Sequence, residues 1–344
     1  MEIFLGILLV CLAGMGTGTI AWPMKLMRKF EFEQFWFIGM LAGLVIAPWV
    51  ITLVFCPNAI AAYKTVDTMV LVKANLFAIG WGVANVLYAI CVVRIGAALT
   101  GAVLSGLGAS VGVTVPMLFK ASGLFAGAPD LGSQAGMVVL SGVAVVIIGI
   151  ILITFAGLGR DRAFNRTEEQ KKSGGFVGGL IMCIIAGVVS CGISFTFVYS
   201  QGPIVEAMKA QGAGDIPANI SVWAVGLLGG ALINILYPAY LMTKNKSWSM
   251  LGKCWGDVVL AAIIGIQFFV AVTLLGRGMI FLGALGASVG FGIQQAMQIT
   301  GNQIVGFASG EWRGVHGAAR KQMYVAIAIL IIAAIIMAYG KSLT

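Results

Sequence analysis

The chain has 344 residues, of which 60% are hydrophobic and only 10% charged, against about 25% charged in ordinary soluble domains, so a water-soluble globular fold is excluded. The net charge of +9 would suggest nucleic acid in a soluble protein. Here the basic residues gather in the connections between apolar runs, where membrane topology accounts for them, and no nucleic-acid partner is expected.

A spanning helix needs roughly 20 mostly apolar residues, and breaks between apolar runs divide the chain into ten such spans: 3–22, 35–56, 69–93, 97–119, 135–158, 175–200, 217–243, 255–277, 279–308 and 318–340. The first run carries Glu2 and no Lys or Arg before its apolar stretch, unlike the basic start of a secretory signal, and reads as a true first helix. Pro48 in span two and Pro238 in span seven each remove a donor from the helix ladder, so both spans are expected to bend. Span nine is long, with room for a break near Gly301.

The motif LGASVG occurs at 107–112 and again at 285–290. Glycines four apart, Gly108 with Gly112 and Gly286 with Gly290, form a smooth stripe on which another helix can pack closely. The run 6–14 also matches 179–187 in hydrophobicity position by position, ending in Ala-Gly both times. Two five-helix repeats are therefore expected, 1–158 and 175–344, joined by the charge-dense connection 159–174. Odd-numbered connections hold fifteen of the 21 Lys and Arg residues, and the other side, the C-terminus included, holds six. By the positive-inside rule the odd connections are cytoplasmic and both termini lie outside. Five spans per half insert the halves in opposite senses, an all-α inverted-repeat transporter architecture with its site near the midplane.

Polar side chains within the spans mark the candidate site. Trp81, Asn85 and Tyr88 fall on one face of span three, and Gln294, Gln298 and Asn302 form a stripe on span nine. Gln267 lies in span eight, Trp22 ends span one, Ser194 lies in span six and Trp223 in span seven. Amides in a bilayer are expected to face the interior. Amides that donate and accept suit hydroxyl groups, and Trp and Tyr offer flat faces to a sugar ring, so the expected ligand is a neutral monosaccharide. The competing reading makes these amides interhelical glue and Trp22 and Trp223 interfacial belt residues, as Trp36 also reads. One histidine, His316, and six cysteines without metal-ligand spacing leave no metal or cofactor expected, and no enzymatic constellation is present.

Four segments carry a family resemblance: Trp22-Pro23-Met24-Lys25 with Lys29 and Glu33; Trp81-Gly82-x-x-Asn85-x-x-Tyr88; Gly202-Pro203-x-x-Glu206-Ala207, read as a turn after span six; and Glu311-Trp312 after span nine. Together they resemble the L-rhamnose/proton symporter family of the drug/metabolite transporter superfamily. The resemblance implies ten helices in two inverted repeats and proton-driven import of L-rhamnose or a related deoxyhexose across a bacterial inner membrane. Proton coupling asks for a titratable group facing the cavity, and the acids lie at span ends or in connections. Lys25, Glu206 and Asp257 are the candidate carriers, with sodium as the alternative ion. An exporter of drugs or small metabolites on the same fold is the alternative function.

Overall fold

The computed structural model describes residues 2–120, 130–163, 175–283 and 289–343, leaving aside the side chains of 97, 98, 161–163, 175–177, 334, 338, 341 and 342. Most of the charged connection, 164–174, lies outside the described residues. So do Leu285, Gly286, Ala287 and Ser288 of the second LGASVG, and with them the expected pairing of Gly286 with Gly290.

Among the described residues the regular structure is all helical: α1 Glu2–Gly18, α2 Ala21–Leu26, α3 Phe32–Met40, a π-helical turn Leu41–Ile46, α4 Ala47–Phe55, α5 Ala59–Thr65, α6 Thr68–Ile95, α7 Ala97–Leu118 and α8 Gln134–Ala163. The second half comprises α9 Gly175–Ser190, α10 Gly192–Ala210, α11 Asp215–Gly226, α12 Leu228–Lys244, α13 Trp255–Phe281, α14 Phe291–Ala308 and α15 Ala318–Ser342. A chain in lipid must satisfy its backbone internally, and helices do so within one segment. Against the ten spans expected, eight of the described segments are long and apolar enough to cross a bilayer, and α11 with α12 forms a ninth bent by 53°. Helix α14 is not among them, since its amides at 294, 295, 298, 302 and 303 lower its hydropathy.

Local expectations need three corrections. Span seven bends at Leu227, between α11 and α12, whereas Pro238 sits inside the continuous α12. Span two departs from α geometry in the π turn just ahead of Pro48. Gly202 and Pro203 are not in a turn but inside α10, and α14 runs through Gly301 without a break. In each case tertiary packing decides where the ladder yields, and a neighbouring helix can hold a proline-bearing segment straight.

Helix partnerships cross between the halves. Helix α1 packs on α13 and α14, while α9 packs on α6 and α7; α3 packs on α13, as α12 does on α6. The outlying α8 and α15 pack on each other, α8 also meeting α7 and α15 meeting α14. Exchanging first span for sixth, second for seventh and so on leaves this set of partnerships unchanged. Glycines bring backbones together at equivalent crossings. A Cβ on Gly43 would lie 2.2 Å from the Gly265 carbonyl oxygen, and one on Gly82 would lie 2.8 Å from Gly230 Cα. Approach this close replaces side-chain burial with backbone packing, the usual driving force between helices in lipid.

Two carboxylates and a glycine organise the ends. Asp67 caps α6 by accepting the Met69 N–H at 2.9 Å. Asp257, buried at the start of α13, accepts the N–H groups of Lys29 at 2.8 Å and Phe30 at 3.0 Å, with Arg28 at 3.3 Å, fixing the loop between α2 and α3. Gly96 joins α6 to α7 with φ of 88°, a conformation other residues rarely adopt.

Candidate functional site

The cavity lies between the two halves. Trp81 stands thirteen residues from the start of α6 and fourteen from its end, and Phe268 thirteen from either end of α13. At 1.5 Å rise per residue each is about 20 Å from both ends of its helix. The two rings stack at 5.5 Å with 22° between planes, so an aromatic pair from corresponding spans marks mid-depth. Around it opens a small cavity of about 60 Å³, lined by Thr17, Trp36, Trp81, Asn85, Tyr88, Ser190, Phe268, Phe291, Gln294, Gln295 and Gln298 together with aliphatic side chains such as Ile193 and Leu275. Its lining, apolar with a few placed polar groups, is of the kind small-molecule sites use.

One polar wall is built around Asn234. Its Oδ1 accepts from Trp36 Nε1 at 2.9 Å and from Asn85 Nδ2 at 3.0 Å, while its Nδ2 donates to the carbonyls of Gly230 at 2.8 Å and Gly82 at 3.2 Å. This fully buried amide locks spans two, three and seven together. Asn85 is left with Oδ1 making no hydrogen bond among the described residues.

The opposite wall joins α1 to α14. Thr17 Oγ1 donates to Gln298 Oε1 at 3.1 Å, and Gln294 Nε2 donates to Thr17 Oγ1 at 2.9 Å and to Gln298 Oε1 at 3.1 Å. Gln294 Oε1 is buried without a donor among the described residues, and Gln298 Nε2 likewise makes no hydrogen bond among them. Unsatisfied polar atoms in an otherwise well-bonded wall are rare in folded proteins. The first LGASVG makes room for this wall: a Cβ on Gly108 would lie within 2.4 Å of Ser190 Oγ and Gln295 Nε2, and one on Gly112 within 2.6 Å of the Phe291 ring.

Of the sequence candidates, Trp81, Asn85, Tyr88, Gln294 and Gln298 line the cavity. Asn302 is fully buried and accepts the Tyr88 hydroxyl at 2.7 Å, fixing the phenol from behind. Gln267 lies off the cavity wall and ties α13 to α1 through the Gly16 carbonyl at 2.8 Å and Thr19 Oγ1 at 2.9 Å. Trp22 is 40% exposed on α2, Ser194 is buried elsewhere, and Trp223 stacks on Phe197 at 4.9 Å, all away from the cavity. Trp36, read as a belt residue, is 1% exposed and faces the cavity. Gly39 and Gly43, three and seven residues on, give that face the small-residue stripe of a packing surface, a signal that could have found it.

The coupling candidates are dispersed. Glu206 is exposed on α10, and Asp257 is occupied in holding the α2–α3 loop. Lys25 Nζ forms an ion pair with Glu311 Oε1 at 3.0 Å.

The model of the family described as L-rhamnose-proton symport protein (RhaT) matches residues 1–342. Proteins named L-rhamnose-proton symporter resemble the chain along 93% of its length: one from Escherichia coli O17:K52:H18 (strain UMN026 / ExPEC) is 24% identical over 332 residues, 93% of its own length. Another, from Cronobacter sakazakii (strain ATCC BAA-894), is 25% identical over 337 residues, 92% of its length.

Proposed function

Because the chain belongs to the L-rhamnose-proton symport family, we propose that it imports L-rhamnose or a closely related deoxyhexose with a proton, by alternating access, across the bacterial inner membrane. It is a multi-pass protein of that membrane and a transporter, not an enzyme. The observation that carries the substrate reading is the set of unused amide atoms at the cavity: Asn85 Oδ1, Gln298 Nε2 and the buried Gln294 Oε1. An acceptor, a donor and a second acceptor are what a ring of hydroxyl groups would satisfy, and the aliphatic remainder of the wall suits a deoxygenated carbon. In this reading Trp81, Tyr88 and Trp36 shape the ring site, Asn302 holds Tyr88, and Gln267, Ser194, Trp22 and Trp223 support the helices around it.

The architecture proposed is ten spans as two inverted repeats, 1–158 and 175–344, on the plan of the drug/metabolite transporter superfamily, with α14 as the ninth span and both termini outside. The exchange-invariant helix partnerships and the central Trp81–Phe268 stack support it. A polar α14 is tolerable because α1, α7 and α15 pack on it. Radiolabelled rhamnose uptake into proteoliposomes, with an inward pH gradient, an inward sodium gradient or neither, tests the function. Saturable uptake accelerated by the pH gradient and competed by rhamnose over glucose and ribose is expected; no saturable uptake of any sugar would overturn it.

A further inference from the structure

Below the cavity, on the side to which the basic connections are assigned, three charged groups meet. Glu311 lies just past the end of α14, following Gly310, whose φ is 83°. Its Oε1 meets Lys25 Nζ at 3.0 Å and its Oε2 meets Arg160 Nη1 at 3.5 Å. The Arg160 guanidinium also donates to the Ile95 carbonyl at 2.9 Å and lies over the Trp312 ring at 5.6 Å. The carboxylate is 11% exposed and the guanidinium 3%. Gly96 is needed here for space as well as for its φ, since a Cβ would come within 3.0 Å of Glu311 Oε2 and 3.1 Å of Arg160 Nη1. Lys25 belongs to the first half, Arg160 to the end of α8 where the connection begins and Glu311 to the second half, so this carboxylate fastens one half to the other.

We propose that Glu311 carries the coupling proton and that its ion pair with Lys25 is the latch of the cytoplasmic side, an inference that rests on the symport reading above. The C-terminal end of a helix disfavours a negative charge, and Lys25 and Arg160 offset that cost at the Glu311 carboxylate while the latch is shut. Binding a proton on a Glu311 carboxylate oxygen removes the charge that Lys25 holds, and withdrawing Lys25 raises the affinity of Glu311 for a proton. Protonation and opening therefore favour each other by linkage. The groups facing Glu311 include Lys25 from α2 and Arg160 from α8; Tyr88, which lines the cavity, stands two turns along α6 from Ile95, the residue whose carbonyl Arg160 holds. A proton arriving with the sugar from the cavity side thus unlocks the far side. Its release to the cytoplasm re-forms the latch.

The test compares the wild type, E311Q and E311D in proteoliposomes. With one proton per sugar, a gradient of one pH unit supports about tenfold accumulation of rhamnose. E311Q should keep rhamnose counterflow between equal concentrations while its gradient-driven accumulation ratio falls to about one, with loss of rhamnose-induced proton movement; E311D should restore both. Undiminished accumulation by E311Q overturns the inference while leaving the transport function standing, whereas a wild type that neither binds nor moves rhamnose sinks the function itself. If E311Q does not fold, K25M decides in its place. Without the latch it should equilibrate rhamnose at every pH and fail to concentrate it, and a K25M protein that concentrates rhamnose as the wild type does refutes the proposal.

Discussion

Replacing Gln298 by alanine separates recognition from packing, because the side chain has one atom engaged with the protein and another turned to no protein partner among the described residues. Its Oε1 accepts from Thr17 and Gln294, but the single Thr17 hydroxyl proton can turn instead to the Ala13 or Gly14 carbonyl, each at 3.1 Å, and Gln294 Nε2 keeps its bond to Thr17. Bonding between α1 and α14 therefore survives in part, and membrane hydrogen bonds average about 0.6 kcal/mol. The cost to binding is larger. A sugar hydroxyl left without its partner in a dry cavity loses about 1–3 kcal/mol, which is about 5- to 140-fold in Kd. Gln267→Ala is the control, since Gln267 bonds to α1 and the residue just beyond it rather than lining the cavity: it should lower thermal stability by about 1 kcal/mol and leave Kd within about twofold. Calorimetric titration of rhamnose into both purified variants, with unfolding followed in the same detergent, makes the comparison. Equal losses of affinity in the two variants, or none in Gln298→Ala, would refute the placement of the sugar against α14.

Asp257→Asn should destabilise the protein by about 1.5–3 kcal/mol, because an ionised acceptor of backbone N–H groups is replaced by a neutral one, while the ratio of rhamnose accumulated to pH gradient applied stays at its wild-type value in a proteoliposome assay. Tyr88→Phe strips the buried Asn302 Oδ1 of its donor and should cost about 1–2 kcal/mol in an unfolding titration, the upper part of the membrane range, together with weaker rhamnose binding as the ring loosens. Gly43→Leu would drive a side chain into the Gly265 backbone; overpacking of this kind costs about 1–3 kcal/mol or more, and expression as a monodisperse protein should fall, whereas Gly178→Leu, with open space at its Cβ, should be tolerated.

The membrane class and the helical character can be read from the chain, because hydropathy over twenty residues and the need to satisfy backbone hydrogen bonds in lipid act locally along the sequence. The same locality puts Trp81, Asn85 and Tyr88 on one face, since spacing on a helix fixes direction around its axis. It does not reveal what each face meets. Gln267 and Gln298 are alike as sequence, amides inside apolar runs, yet one bonds a neighbouring helix and the other lines the cavity. Trp36 reads as a belt residue until Asn234, 198 positions later, supplies the acceptor for its indole. Glu311 reads as one more acid at a span end until Lys25 and Arg160 close on it from α2 and α8. Those assignments depend on which backbones approach across glycine crossings far apart in the chain, and that energy resides in pairs of surfaces rather than in either segment alone.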